Sequence, residues 1–248
     1  MKIFGLIGKN INYSFSAKYF SEKFENEKIE NSVYKNFDIP DITYFPQIIK
    51  KNKELKGLNV TIPYKEEIIP YLDKLSRKAE EIGAVNCIKI TKKGNLKGYN
   101  TDVFGFKKSL KPLLKPNHTK ALILGTGGAS KAVAYVLEKL GIEYKYVSRN
   151  PQKDEFSYPD ISQAIMEEYT LIINTTPLGT FPNIEQCPEI GYEYFSDTHI
   201  AFDLIYNPSE TKFLRLAKEK GATTKNGYDM LVFQAEKSWE IWNKPPNP

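Results

Sequence analysis

Two short segments carry ionisable groups in surroundings suited to proton transfer. In GLNVTIPYK, Lys65 follows Asn59 and Thr61, and in GYNTD, Asp102 ends a run of small and hydrogen-bonding residues. Reduction of a carbonyl by hydride needs a group that gives a proton to the developing alkoxide, and histidine is the usual donor. Here His118 sits in a polar stretch between prolines and a strand, His199 stands ahead of an apolar run, and neither has companions of catalytic type. Lys65 and Asp102 are the better candidates. Taken singly, Asn59 and Thr61 are also ordinary strand-end polar groups, Lys65 could open a solvated helix, and Asn100 to Asp102 could cap one.

A hydride must come from a cofactor, and GTGGAS, between the apolar run ALIL and a helical stretch, is where a dinucleotide pyrophosphate would rest. Gly125 permits the tight turn and Gly127 lets the backbone approach the phosphates, while the helix N-terminus turns its N–H groups and positive dipole end to the anion. The usual third glycine is Ser130, with Gly128 standing earlier. An NAD site tends to carry Asp or Glu about twenty residues past this loop, to accept from the ribose 2′-OH. This chain has Ser148-Arg149-Asn150 there, with Lys153 close behind, so a 2′-phosphate is expected and the cofactor is NADP.

The elements that must position these groups read as alternating strands and helices, the pattern of an α/β fold. KIFGLIG, SVYKNFDI and LNVTI are strands, Ser16 to Asn26 is a helix, and VNCIKI and LKGYN flank a KKGN turn as a β-hairpin. The hairpin closes a first domain near Asp102. A short helix near Gly105 to Leu110 and the linker-like KPLLKPN follow. A second α/β unit begins at Lys120 with KALILG, a helix from Gly127 to Leu140 and YKYVS, together the size of one βαβ unit. LIINTT, HIAFDLI and ATTKNG continue its strands. From Asp229, Leu231, Ala235, Trp239 and Trp242 recur at helical spacing, so an amphipathic helix ends the chain. The expected domains are 1–102 with 228–248, a mostly parallel substrate-binding sheet to which the last helix returns, and 103–227, a Rossmann-like NADP-binding domain.

Composition excludes several other classes. The net charge is +5 at neutral pH, but all but three of the 35 basic residues are lysines spread among 30 acidic ones, which is a solvated surface and not a nucleic-acid patch. No apolar run approaches the roughly eighteen residues of a membrane span, and MKIFGLIGKN is too soon broken by glycine for a secretory segment, so a soluble, cytoplasmic protein is expected. Cys87 and Cys187 lie far apart without a CxxC or a His/Cys cluster, so neither a disulfide framework nor a metal site is expected.

Further motifs complete the pattern. YSFSAKYF, GLNVTIPYK, GAVN, GYNTDVFG, NTTPLG, DLIYNP and NGYDMLVFQAEKSWEIW occur in this order, and together they resemble the signatures of shikimate dehydrogenases across nearly the whole chain. The resemblance implies an NADP-dependent oxidoreductase of chorismate biosynthesis, reducing 3-dehydroshikimate reversibly to shikimate, with Lys65 and Asp102 as the catalytic pair. It implies that Ser14 and Ser16 bind the substrate carboxylate, that Asn59, Thr61, Asn86 and Gln234 bind ring hydroxyls, and that Tyr206 lies close to substrate. Gly125, Gly127, Gly128, Ala129, Ser148, Arg149 and Lys153 would hold NADP, with Thr175, Gly227 and Met230 toward the nicotinamide. The chain departs from the family at Tyr13, Ala17, Thr126, Ser148 and Asn150. A monomer or homodimer acting on a small molecule is expected. A quinate/shikimate dehydrogenase of broader range and a non-catalytic nicotinamide sensor on the same fold are the competing readings, and retention of Lys65 and Asp102 counts against the second.

Overall fold

In the computed structural model, which describes residues 1–11 and 14–245, the chain forms two compact units, Met1–Thr101 with the chain from Ala235 on, and Asp102–Gln234. The first unit contains β1 (Lys2–Gly8), α1 (Phe15–Asn26), β2 (Ser32–Asp38), α2 (Phe45–Lys51), β3 (Leu55–Val60), β4 (Lys74–Leu75), α3 (Arg77–Ile82), β5 (Cys87–Ile90) and β6 (Leu96–Tyr99). Its sheet has the order β2-β1-β3-β5-β6-β4, parallel where β1 meets β2 and β3, antiparallel at β3–β5 and through the β5–β6 hairpin. Side chains of β1 alternate between faces, as a pleated strand requires: Ile3 and Ile7 enter one apolar cluster, Phe4 and Leu6 another. Both faces are therefore covered, which is why KIFGLIG reads as a continuous apolar run.

The second unit contains α4 (Asp102–Leu110), β7 (Lys120–Leu124), α5 (Gly128–Leu140), β8 (Glu143–Ser148), β9 (Phe156–Ser157), α6 (Gln163–Glu168), β10 (Leu171–Asn174), β11 (Ile200–Asp203), α7 (Lys212–Glu219) and β12 (Thr223–Lys225). Its six strands are all parallel in the order β12-β11-β10-β7-β8-β9, the doubly wound arrangement of a Rossmann-like domain. The last helix, α8 (Tyr228–Asn243), begins in the second unit and ends in the first. There Trp242 stacks on Phe4 with ring centroids 5.1 Å apart and donates from Nε1 to the Ile88 carbonyl at 3.0 Å. The C-terminal helix expected from the apolar spacing forms, and its end returns to the first unit.

Several boundaries differ from expectation. β3 stops at Val60, short of Thr61 and Ile62, because Ile62 precedes Pro63 and a proline restricts the residue before it and offers no donor. No helix opens at Lys65; residues 62–68 are turns. KPLLKPN is not a linker between units but part of the second. His118, which follows it, is buried: its Nδ1 accepts from Lys115 N–H at 2.9 Å, which leaves the proton on Nε2 to donate to the Thr198 carbonyl at 3.1 Å. The units part at Thr101 and again after Gln234, later than the expected return at Tyr228. Gly105 explains the second difference, since a Cβ there would stand 2.4 Å from the Met230 carbonyl. That close approach ties the first half of α8 to α4.

Asp203, at the end of β11, shows how polar groups hold the second unit. Its carboxylate accepts from Thr211 Oγ1 at 2.6 Å, Ile205 N at 3.0 Å and Asn174 Nδ2 at 3.1 Å, joining β11, β10 and the cap of α7. Burial pushes its pKa up to about 6 from 3.8, against the three donors that favour the charged form. Asp203→Ala is expected to cost about 3 kcal/mol or more, because three buried donors lose their acceptor. The carboxyl holds its proton more tightly folded than unfolded, so folding stability falls as pH rises from 3.8 to about 6 and levels off above. Denaturant titrations across this window test the sign: wild type should lose about 2–3 kcal/mol relative to Asp203→Asn, whose amide does not titrate. A difference that stays flat or runs the other way contradicts it.

Candidate functional site

In the first unit the candidate residues gather at the C-terminal ends of the parallel strands β1 and β3, the end where ligands of open α/β sheets bind. Ser14 caps α1, its Oγ accepting from Ser16 N–H at 3.2 Å. This use of a lone pair leaves the Ser14 hydroxyl proton to donate elsewhere, at the positive end of a twelve-residue helix, where an anion is favoured. Ser16 is buried in the first turn. Tyr13, noted as a departure from the family pattern, lies outside the described residues.

Asn59, near the end of β3, is buried, and both ends of its amide are engaged: Oδ1 accepts from Tyr34 Oη at 2.9 Å, and Nδ2 donates to Ser238 Oγ at 2.9 Å and to the Asn86 carbonyl at 3.3 Å. Its Oδ1, with one donor on two lone pairs, keeps a lone pair that a ring hydroxyl could reach, the contact the resemblance implies. Thr61 continues the ladder past β3 by donating its N–H to the Ile7 carbonyl at 2.9 Å. Lys65 is half-buried, and its carbonyl accepts from Val85 N–H at 2.7 Å, which pins its backbone one residue from Asn86. Asn86 accepts at Oδ1 from the N–H of Thr101 at 2.6 Å and from its hydroxyl at 3.2 Å. Its Nδ2 faces the other way and finds no acceptor among the described residues, so Asn86 is set as a donor to a ligand oxygen.

Asp102 belongs to the second unit, buried in the first turn of α4, directly after Thr101. Tyr206 follows β11 and is half-buried, while Gln234 and Met230 are buried on α8. Lys65 and Asp102 thus come from different units.

The second unit builds the cofactor candidates into one rim. β7 lies between β8 and β10, so chain leaves it at the point where the strand order reverses. Gly125 has φ +96°, a left-handed conformation that favours glycine, and Thr175, directly after β10, braces it by donating its hydroxyl to the Leu124 carbonyl at 2.7 Å and the Gly125 carbonyl at 3.2 Å. Gly127 caps α5, and a Cβ there would meet nothing within 4 Å; the space beside the helix N-terminus is open. Gly128 and Ala129 supply the first turn of α5. Ser130, in place of the third glycine, is buried and donates both its N–H and its hydroxyl to the Gly127 carbonyl, at 2.9 and 2.6 Å.

At the tip of β8, Ser148 Oγ accepts from Asn150 N–H at 3.2 Å, and Arg149 and Lys153 are exposed. The Arg149 guanidinium draws down the Tyr158 phenol, whose pKa burial otherwise raises. An open glycine loop at a helix N-terminus and an exposed arginine at the neighbouring strand tip fit a dinucleotide with a 2′-phosphate. Gly227 has a structural reason as well, since a Cβ there would fall 2.0 Å from the Leu204 carbonyl. Residues that sequence reasoning missed are Tyr34, Thr101 and Ser238. The only signal was that Thr101 sits inside the aspartate motif and Ser238 one helical turn from Gln234. Among the described residues no His, Cys, Asp and Glu side chains group as a metal site would need, and no helix is long and apolar enough to cross a membrane.

Comparison with known proteins places this geometry. The shikimate dehydrogenase substrate binding domain family matches residues 6–88. A shikimate dehydrogenase (NADP(+)) of Caldicellulosiruptor saccharolyticus is 37% identical over 260 residues, covering 98% of this chain and 92% of the relative. Shikimate dehydrogenase 1 of Peptoclostridium difficile superposes with a TM-score of 0.85 at 40% identity, over 100% of this chain and 94% of the other. The shikimate 5-dehydrogenase of Thermus thermophilus, solved in complex with NADP(H) and shikimate, does so with a TM-score of 0.86 at 32% identity, over 100% and 96%. Identity at this level through nearly all of both chains, on a fold built alike, reflects shared descent and not architecture alone, and the chain belongs to the shikimate dehydrogenase family.

Proposed function

We propose that this chain is an NADP-dependent shikimate dehydrogenase that interconverts 3-dehydroshikimate and shikimate on the route to chorismate and the aromatic amino acids. The observation that carries it is the 37% identity to a shikimate dehydrogenase (NADP(+)) across 98% of this chain, in a sequence that has Lys65 and Asp102 within the segments GLNVTIPYK and GYNTDVFG. Bound NADPH supplies the hydride. Ser14 and Ser16 bind the substrate carboxylate at the start of α1, and Asn86 donates to a ring oxygen from the nitrogen that Thr101 leaves free. Asn59, Thr61 and Gln234 take ring hydroxyls as well, and Tyr206 lies close to substrate. Lys65 hydrogen-bonds the reacting oxygen and relays the proton, while Asp102 orients and holds it. The glycine loop of Gly125, Gly127, Gly128 and Ala129 takes the pyrophosphate, Ser148, Arg149 and Lys153 the 2′-phosphate, and Thr175, Gly227 and Met230 line the nicotinamide side. The enzyme acts in the cytoplasm as a monomer or homodimer, with residues 1–102 and 228–248 serving the substrate and 103–227 the cofactor.

The test is to offer shikimate or quinate with NADP or NAD and follow nicotinamide reduction. Rapid reduction of NADP by shikimate is expected, and no reduction with any pair overturns the proposal. Ser14→Ala and Ser16→Ala are each expected to raise KM for shikimate by about tenfold or more, since a hydrogen bond to a charged group contributes roughly 1.5–3 kcal/mol. Ser14→Ala should also lower the thermal midpoint, because the cap of α1 contributes about 1 kcal/mol. KM for NADP should not move in either variant. An unchanged KM for shikimate in both would remove the serines from the site.

A further inference from the structure

Asn174 ends β10 beside two other strand ends, in register with Leu124 of β7 on one side and Asp203 of β11 on the other. Its side chain is buried, and both ends of the amide are bonded. Nδ2 donates to Asp203 Oδ1 at 3.1 Å, while Oδ1 accepts twice from Thr176, from its N–H at 3.0 Å and from its hydroxyl at 2.7 Å. Thr176 in turn closes on the turn of the glycine loop: a Cβ on Gly125 would stand 2.9 Å from Thr176 Cγ2.

The Asp203 carboxyl, with a pKa of about 6, is charged at neutral pH and only accepts, whereas the Thr176 N–H only donates, so the Asn174 amide is fixed from both sides. The bond to the N–H two residues on is the turn in which an asparagine side chain stands in for backbone. The bond to the hydroxyl sets χ1 of Thr176, and on a β-branched residue a fixed Oγ1 also fixes the methyl, which here faces Gly125. Thr175 is held separately, by its N–H and its hydroxyl to the Leu124 carbonyl at 2.9 and 2.7 Å, and the ladder of β10 does not pass through the Asn174 side chain. What the amide oxygen adds is therefore the placing of Thr176 and of the face it presents to the loop.

We propose that Asn174 is a positioning residue for the dinucleotide: with its amide anchored on Asp203, it sets Thr176 against Gly125 and so fixes one wall of the loop that takes the pyrophosphate. Asn174 has no contact of its own with the cofactor in this scheme. The role rests on the proposed function, because it matters only if this loop holds NADP. Without the amide, the N–H and hydroxyl of Thr176 lose this acceptor, the hydroxyl turns, and the methyl leaves Gly125. The loss falls on the part that NADP and NAD have in common and not on the 2′-phosphate end at Arg149.

The experiment measures NADP binding by calorimetry well below the thermal midpoint, together with KM for NADP, NAD and shikimate, for wild type, Asn174→Ala, Thr176→Ala and the double variant. Asn174→Ala is expected to weaken NADP binding about threefold to tenfold, the worth of one neutral hydrogen bond, to raise KM for NAD by the same factor and to leave KM for shikimate unchanged. In the Thr176→Ala background, which has neither hydroxyl nor γ-methyl to place, the same substitution should weaken binding clearly less. Asn174→Asp, which still offers Thr176 an acceptor and shares a proton with Asp203, should bind NADP nearly as wild type does even where its thermal midpoint falls. A merely structural asparagine would lower the midpoint and leave dinucleotide binding alone, or weaken it equally in both backgrounds, and either result overturns the inference. A loss confined to NADP, or one shared with shikimate, overturns it as well. If Asn174→Ala does not fold, Thr176→Val decides: it keeps the volume and loses the bonded hydroxyl, so it should weaken NADP and NAD alike, and binding equal to wild type overturns the inference. Wild-type protein that neither binds NADP nor reduces it with shikimate overturns the proposed function and this role with it, whereas wild-type turnover with Asn174→Ala indistinguishable overturns this role alone.

Discussion

Lys65→Ala is expected to lower kcat by about 10²–10⁴, the loss that follows removal of a positioned proton-transfer group. Lys65 is positioned by its backbone, through the bond from Val85 N–H to its carbonyl at 2.7 Å, and lies in a turn. Asp102→Asn should resemble Lys65→Ala, since an amide cannot hold an ammonium or a ring hydroxyl as a carboxylate does. The carboxylate also gains from its position in the first turn of α4, where the helix dipole favours negative charge. If the lysine and the aspartate act as a unit, the double variant should lose much less than the product of the single losses. Strictly multiplicative losses would mean that they work independently, and an unchanged kcat in either single variant would remove that residue from the chemistry.

β1, β3, β7, β10 and β11 were legible because each is a buried apolar run ended by glycine, proline or a polar cluster, and the glycine loop was legible because it joins such a run to a helix. Short elements were not. α2, α3 and α6 are fewer than two full turns, too short for a 3.6-residue period to emerge, and β4 and β9 are two residues each. KPLLKPN looked like a linker because its composition is that of one, but His118 stitches the segment to Thr198 through a contact far away in sequence.

The last helix shows the same limit at the site itself. Its apolar spacing predicted a stripe of Leu231, Ala235, Trp239 and Trp242, whereas the buried face is Met230, Gln234, Ala235, Ser238 and Trp242, with Leu231 and Trp239 only partly covered. Polar residues sit in the middle of the buried face because they meet other polar residues, Asn59 and Thr101, which only the folded chain brings to Ser238. Hydrophobic periodicity cannot register such a pairing. For the same reason Asn59 could be picked out as a site residue while its bonds to Tyr34, Ser238 and the Asn86 carbonyl could not.

Arg149→Ala is expected to raise KM for NADP by about ten- to a hundredfold, matching roughly 1.5–3 kcal/mol for a hydrogen bond to a charged group, and to leave KM for NAD nearly unchanged. The 2′-phosphate brings charge that must be matched, and a guanidinium can meet it with two parallel charge-assisted bonds while lying flat on the adenine. Arg149 is exposed at the tip of β8, with Tyr158 near enough to feel its charge and no carboxylate between Ser148 and Lys153. Ser148 uses its oxygen to accept from Asn150 N–H, so its proton can add a neutral bond, whereas Lys153, exposed beyond the turn, contributes only a mobile point charge. Replacing Arg149 by Asp should go further and invert the preference, because a carboxylate repels the phosphate and accepts from the NAD ribose, combining a new attraction with a new repulsion. Steady-state kinetics with each cofactor at saturating shikimate measures all of this. Equal kcat/KM for NADP and NAD in wild type, or a loss that Arg149→Ala imposes on both alike, would make Arg149 a surface cation and move the source of cofactor selection elsewhere on the rim.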